Sequence, residues 1–271
     1  MYPEIRSTVT LLIAPVLLAI PSDGSRSRPY ITLTYAQSLD GCIAGKGGTQ
    51  VLLSGRESMI MTHWLRTMHD GILVGVNTIR NDDPQLNTRH LPPRSPSYPQ
   101  PRPIVLDTSL GTPPSCKLLH NYQNKTGRQP WIVCAQRPLR DGSTVTTDLW
   151  WERRHALESA GARVIEVSSE DDKVNIQAAL GALRRLGIQS LMIEGGATVI
   201  AAFMKLQDQD ETPTVDMHIV TVAPKIIGSS GLKATNTDAQ PPHLEPIGAA
   251  IFGTDAAFAS RLLRPSGLSP T

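Results

Sequence analysis

Three short stretches of the chain carry residues that could hold or act on a charged ligand. In Glu194-Gly-Gly-Ala-Thr198, two glycines separate an apolar run from a helix-like segment. Glycines there let the backbone approach an anion closely, and a helix N-terminus adds free N–H groups and a positive dipole end. A pyrophosphate fits that pattern, and so does a tight strand–helix turn that simply needs glycine; the residues alone leave both open. In Gly75-Val-Asn-Thr78-Ile-Arg-Asn-Asp82-Asp-Pro84, Thr78 and Asp82 stand four apart beyond another apolar run. They could hydrogen-bond a ribose or an amide, or serve only as capping and loop residues. The third stretch opens at Ser54, whose spacing to Glu57 predicts a capping box at a helix start. With Arg66 and Arg89 downstream it offers a phosphate cradle, although surface arginines are commonly just solvated.

To position these groups the chain must supply strands that end beside them. Residues 31–36 are rich in β-branched side chains and stop at the turn signal Ser38-Leu-Asp-Gly41. Ile60, Met61, Trp64, Leu65 and Met68 mark one face of a helix, which leaves Arg66 on its polar side. Residues 72–76, 103–107, 131–134, 163–167 and 191–193 read as short strands. A helix over 174–186 ends at Gly187, and another presents Val199, Ile200, Phe203 and Met204. Residues 215–222 are expected to form a longer strand that could pair or pack across a two-fold axis, and 252–262 the last strand. The proline-rich 91–102 and the stretch 112–130 read as loops. This alternation is α/β, in one domain over 29–271 preceded by an N-terminal arm, 1–28.

Composition narrows the chemistry. The 271 residues carry 26 basic and 24 acidic side chains, a formal net charge of +2, which leaves no footprint for nucleic acid. Aromatic residues are only 4%, so aliphatic side chains must fill the core. Cys42, Cys116 and Cys134 are too few and too widely spaced for a disulfide framework or a structural zinc site, and point to a reduced, cytoplasmic enzyme. The apolar run 9–20 contains Pro15 and falls well short of the roughly 20 residues that span a bilayer. It is expected to lie as an apolar strip on the domain; a signal peptide is the lesser reading. No Walker loop, G-x-G-x-x-G, H-E-x-x-H, G-x-S-x-G or zinc-deaminase signature is present. The chemistry therefore rests on a bound organic cofactor, not on a metal or a side-chain nucleophile.

Six motifs in order sharpen this. They are Thr34-x-Ala36-x-Ser38-Leu-Asp-Gly41; Leu65-Arg66-x-x-x-Asp70-Gly-Ile-Leu-Val-Gly75; Thr78-x-x-x-Asp82-Asp-Pro84-x-Leu86-x-x-Arg89; Arg102-Pro-Ile-Val-Leu-Asp107; Ile193-Glu-Gly-Gly196; and Ala223-Pro-Lys-Ile-Ile-Gly228, with a fainter echo at Phe252-Gly-x-Asp255. Together they resemble the pyrimidinone-phosphate reductases of riboflavin biosynthesis. The resemblance implies a dihydrofolate-reductase-like fold, a mostly parallel sheet with flanking helices, NADPH as cofactor and a homodimer. It implies that Ala36, Thr78, Asp82, Thr108, Gly195, Gly196, Ala197 and Thr198 contact the cofactor. Gln50, Ser54, Arg66, Arg89 and Glu194 would face the substrate, the arginines holding its phosphate. Asp40 and Glu194 are the carboxylates nearest the inferred chemistry. The implied reaction reduces the ribosylamino group of 2,5-diamino-6-ribosylamino-4(3H)-pyrimidinone 5′-phosphate to a ribitylamino group. No deaminase segment accompanies these motifs, so the substrate is expected to retain both amino groups. A pterin reductase of the same fold and a catalytically silent nucleotide-binding homologue are the competing expectations.

Overall fold

A computed structural model of the chain describes residues 2–17, 26–94, 96–136, 144–208, 212–234 and 243–263. The stretch of the expected arm at 18–25 and the end of the expected domain past 263 lie outside the described residues.

Nine strands form one sheet: β1 (Tyr30–Ser38), β2 (Gly71–Gly75), β3 (Arg102–Leu106), β4 (Trp131–Ala135), β5 (Arg163–Val167), β6 (Ser190–Gly195), β7 (Met217–Ala223), β8 (His243–Phe252) and β9 (Asp255–Leu263). Their order is β8-β9-β7-β1-β6-β2-β3-β4-β5. The first seven pair in parallel, and β9 pairs antiparallel with β7 and β8. The helices are α1 (Tyr2–Leu17), α2 (Arg56–Arg66), α3 (Val76–Asp82), α4 (Lys117–Gln123), α5 (Thr144–Ser159), α6 (Ile176–Arg185) and α7 (Ala197–Lys205). This is the mostly parallel, dihydrofolate-reductase-like α/β arrangement that the motifs imply.

A parallel sheet needs both faces covered, so its inner strands are apolar on both sides. Along β2, Ile72 and Val74 join one core layer with Ile60, Met61 and Leu65 of α2. Leu73, between them, points the other way to Leu180, Leu183, Ile200 and Phe203 of α6 and α7. Leu180 and Leu183 are fully buried, each contributing about 1.5–3 kcal/mol. Asn175 starts α6 by accepting the Ala178 N–H, and Gly187, at φ +92°, turns the chain out of it. Ile5, Val9 and Leu12 of α1 are buried in the layer on the α2 side, where the helix meets α2 and β8. Among the described residues no helix is long and apolar enough to cross a membrane.

Four expectations change. The strand expected over 215–222 is hydrogen-bonded by β1 on one side and β9 on the other, so it has no free edge to pair across a two-fold. The segment 252–262 is not one strand: Phe252 pairs with Asp255, and the chain reverses at Gly253 (φ +65°) into β9. The loop expected over 112–130 contains α4, which begins without a side-chain cap. Helix α5, whose Trp150 and Leu157 are buried, was not anticipated, because charged residues separate its few apolar ones.

Candidate functional site

Seven parallel strands place their carboxyl ends along one edge, the edge where α/β sheets collect ligands. A cleft of about 910 Å³ opens there, lined among others by Ala36, Gln50, Ser54, Thr78, Asp82, Glu194, Gly196, Ala197 and Thr198. A cavity of about 340 Å³ shares Gln50, Thr78, Asp82 and Glu194 with it and adds Leu86 and Arg89. A third, of about 500 Å³, is bordered by Ser54, Arg56, Arg89 and His90. The structure thus brings together most residues that the sequence nominates. Thr108 stands apart: it follows β3, its carbonyl accepts the Ala135 N–H, and it lies outside the lining of these three spaces.

The glycine turn is built around close approach. Gly195 ends β6 at φ +103°, and a Cβ there would fall 2.9 Å from Ile200 Cδ1. Gly196 donates its N–H to Thr78 Oγ1 at 2.8 Å, and a Cβ on it would crowd that oxygen at 3.1 Å. Gly196 is also the N-cap of α7, where no side chain caps the helix. The leading amides of α7 therefore present a positive end toward the cleft. One turn beyond Thr78 on α3, burial pushes the Asp82 carboxyl above its ordinary value.

Glu194, the last charged residue before the glycines, is held by Arg66. Arg66 Nε donates to Oε1 and Nη2 to Oε2, both at 2.8 Å, while Nη1 donates to the Asn87 carbonyl at 2.9 Å. Arg66 is only 8% exposed. The sequence places Arg66 on the polar side of α2, free to hold the substrate phosphate with Arg89. The structure instead buries it, directs its donors to Glu194 and Asn87, and leaves it outside the lining of the three spaces. The apolar stripe describes the middle of the helix, whereas its last turn runs beneath the end of β6. Arg89 is different: it is exposed, its Nη1 donates to Asn87 Oδ1, and among the described residues no carboxylate pairs with it. Burial and the nearby Arg66 charge lower its pKa. His63, beneath it, accepts the Arg89 N–H at Nδ1 and is pushed down to about 2, first by burial and then by Arg66, Arg89 and His90. It stays neutral.

The start of α2 also departs from expectation. Its N-cap is Gly55, without a side-chain cap, so Ser54 and Glu57 do not form a capping box. Asp255, from the opposite end of the chain, accepts the Gly55 N–H at 2.7 Å and the Ser58 hydroxyl. A carboxylate already occupies that helix terminus, so the terminus is not free for the anion expected there. Asp40 is likewise reassigned. It accepts the Ser38 hydroxyl and the N–H groups of Gly228 and Ile227, which in that order hold its carboxyl down to about 2. It ties the turn after β1 to the loop after β7 and does not line the cleft. Asp255 and Asn87 are the residues that sequence reasoning missed. The only signal for Asp255 was the Phe252-Gly-x-Asp255 echo; Asn87 carried none. Among the described residues no cluster of His, Cys, Asp and Glu could hold a metal ion.

Comparison with known proteins gives the same picture. The family model of the RibD C-terminal domain matches residues 29–258. A 2,5-diamino-6-ribosylamino-4(3H)-pyrimidinone 5′-phosphate reductase of Debaryomyces hansenii is 34% identical over 77% of this chain and 80% of its own. A Candida glabrata protein of the same name is 32% identical over 83% and 87%. A solved structure of the Saccharomyces cerevisiae riboflavin biosynthesis reductase superposes with a TM-score of 0.68 at 25% identity, covering 94% of this chain and 99% of the other. A sheet of this order, a glycine turn on its carboxyl edge and a match of this length lead to one assignment: the chain belongs to the RibD C-terminal domain family.

Proposed function

We propose that the chain is a reductase of riboflavin biosynthesis that converts the ribosylamino side chain of 2,5-diamino-6-ribosylamino-4(3H)-pyrimidinone 5′-phosphate to the ribitylamino form. The observation that carries this reading is the place of Glu194. It borders both the cleft of the glycine turn and the cavity of Arg89, so a redox cofactor on one side and a phosphorylated substrate on the other would meet beside it.

The cleft fits a nicotinamide dinucleotide. Gly196, with no Cβ, and the uncapped start of α7 form a cradle that a side chain would fill, and the amides there suit a pyrophosphate. Ala36, Thr78 and Asp82 complete that side, with NADPH the preferred form. When bound, the reduced nicotinamide supplies the hydride. The chain's own contribution is mostly positioning, worth up to about 7–11 kcal/mol in well-oriented cases. Arg66 grips both oxygens of Glu194, so the carboxylate is fixed in direction and suited to accept hydrogen bonds from substrate amino or hydroxyl groups. Arg89, with no carboxylate partner among the described residues, offers its guanidinium to the substrate phosphate, with Gln50 and Ser54 on the adjoining walls.

The reading extends to a cytoplasmic homodimer. The unpartnered face of β7–β9–β8 exposes Phe258 and Ile251, at 49% and 68%. Phe258 is in register with Val220 and Ala249, and Ala256 with Val222 and Ile251, so an apolar patch runs across three strands. A second copy would cover it, with β7 buried by its face and not by its edge. Sedimentation that shows only a 29.4 kDa species at micromolar concentration argues against the dimer.

Steady-state NADPH oxidation with the diamino-ribosylamino-pyrimidinone phosphate tests the activity. Turnover is expected with that substrate and not with a dihydropterin. Absence of turnover in a folded protein that still binds NADPH would assign it to the silent nucleotide-binding class.

A further inference from the structure

The amino edge of the sheet carries two groups of arginines, and only one is neutralised. On one half, Arg28 Nη1 meets Asp216 Oδ2 at 2.7 Å and its Nε meets Asp208 Oδ2 at 3.1 Å, while Arg26 also pairs with Asp216. On the other half, Arg102 opens β3, Arg163 opens β5, and Arg128 precedes Trp131 at the head of β4. The parallel register sets them side by side, since Trp131 is opposite Arg163 on β5 and opposite Ile104, two residues after Arg102, on β3. Arg102 and Arg163 both stack on the Trp131 ring, 4.4 and 5.2 Å from its centroid. Arg102 Nη1 donates to the Gln129 carbonyl and Arg128 Nη1 to the Gln100 carbonyl. Arg102 Nε is buried without an acceptor. Among the described residues none of the three meets a carboxylate.

We propose that Arg102, Arg128 and Arg163 form a second anion site, on the edge opposite the cleft, that takes a small, multiply charged phosphate-class anion. Guanidinium forks match phosphate oxygens in pairs, and here the strand register and the Trp131 ring fix two of the forks before any ligand arrives. Burial first, and then the like charges of Arg128 and Arg163, lower Arg102 to about 10; an anion between them would relieve the part that is repulsion. Trp131 itself is only 4% exposed, so the ligand is gripped by its charged group and gains nothing from stacking on the ring. This site does not depend on the reductase reading, because no residue of the cleft takes part.

The test uses the full chain carrying Arg89→Ala with the glycine turn occupied by saturating NADPH, so that neither phosphate position proposed for the cleft competes. Inorganic pyrophosphate and ribose 5-phosphate are titrated calorimetrically, with sodium chloride at matched ionic strength as the control. At least one of the two probes is expected to bind. Adding Arg128→Gln and Arg163→Gln, both at exposed positions, is expected to weaken that binding at least tenfold while NADPH affinity stays unchanged. The same titration should change tryptophan fluorescence, and Trp131→Phe should remove the change. If the triple variant fails to fold, Arg163→Lys alone serves, since it keeps the charge, loses the fork and should weaken binding severalfold. Equal affinity with and without the substitutions overturns the proposal, as does no binding of either probe or a response that sodium chloride reproduces.

Discussion

The two edges of one sheet are built on opposite terms. At the amino edge, Asp70 accepts the N–H groups of Gln189 and Ser190 and the Ser190 hydroxyl. Asp216 there takes the Ile31 N–H and two arginines. On this half of the edge the strand starts are locked and the polar groups are used by the protein itself; the arginines at the heads of β3, β4 and β5 are the exception. At the carboxyl edge, around a cleft of about 910 Å³, the leading amides of α7 lack a side-chain cap and Arg89 meets no carboxylate among the described residues. Even so, that edge is not loose. Thr78 holds Gly196, Arg66 holds Glu194, and Asp40 holds the loop after β7. The lesson is one of allocation: polar groups that shape the site have partners, and those meant for ligands do not.

The largest expected effect comes from Arg66→Ala. It strands a largely buried Glu194 carboxylate and the Asn87 carbonyl, and breaking a buried ion pair from one side costs about 3–5 kcal/mol. Urea unfolding should show that loss, and the double variant Arg66→Met/Glu194→Met should recover most of it without recovering substrate affinity. Stability that stays put in the single variant would mean that the pair is effectively solvated. At the amino edge, Asp216→Asn should cost about 2–3 kcal/mol, since hydrogen bonds to a charged group are each worth roughly 1.5–3 kcal/mol and two arginines lose their counter-charge. Its NADPH affinity should be unchanged, which separates locking from binding. Gly196→Val should do the reverse: a folded protein whose NADPH dissociation constant rises at least tenfold, about 1.4 kcal/mol, in a fluorescence titration.

The last effect is a slope. His63 is neutral in the fold, held down to about 2, while its unfolded form titrates near 6.5. Below pH 6.5 the unfolded state binds the extra proton, so stability is full above that pH and falls as the pH drops toward 2. His63→Asn keeps an acceptor for the Arg89 N–H and removes the titration. The fall in stability between pH 6 and pH 4 should then be shallower by about 1.4 kcal/mol per pH unit. His218, held near 4 by burial, adds its own slope above that pH, and that slope should remain.

Much of the carboxyl edge was legible in the sequence because its signals are local. The Glu194-Gly-Gly turn and the Thr78/Asp82 spacing each lie within one turn of chain, and the structure brings them to one cleft. What could not be read was which aspartate does what. Asp40, Asp107, Asp255 and Asp82 all sit in motif positions, yet only Asp82 lines the cleft. Asp107 accepts the N–H groups of Gly111 and Thr112 and shapes the turn after β3. Asp40 finds its amides 187 and 188 residues away, and Asp255 finds Gly55 200 residues away. Nothing in a sequence window distinguishes a carboxylate awaiting a ligand from one awaiting a distant backbone. The burial of Arg66 could not be read for a related reason, since helix periodicity reports the packing of a helix and not what its last turn runs beneath.

The bond from Asp255 to Gly55 also sets an order of events during synthesis. Helix α2, whose last residue orients Glu194, is translated early, but the carboxylate that secures its first turn comes 200 residues later. At about 5–20 residues per second, that is a delay of roughly 10–40 s. Until the closing hairpin emerges from the ribosome, α2 has a finished sequence and an unsecured beginning. A chain stopped short of residue 255 would carry every cleft residue named here and still lack the part that holds their helix in place.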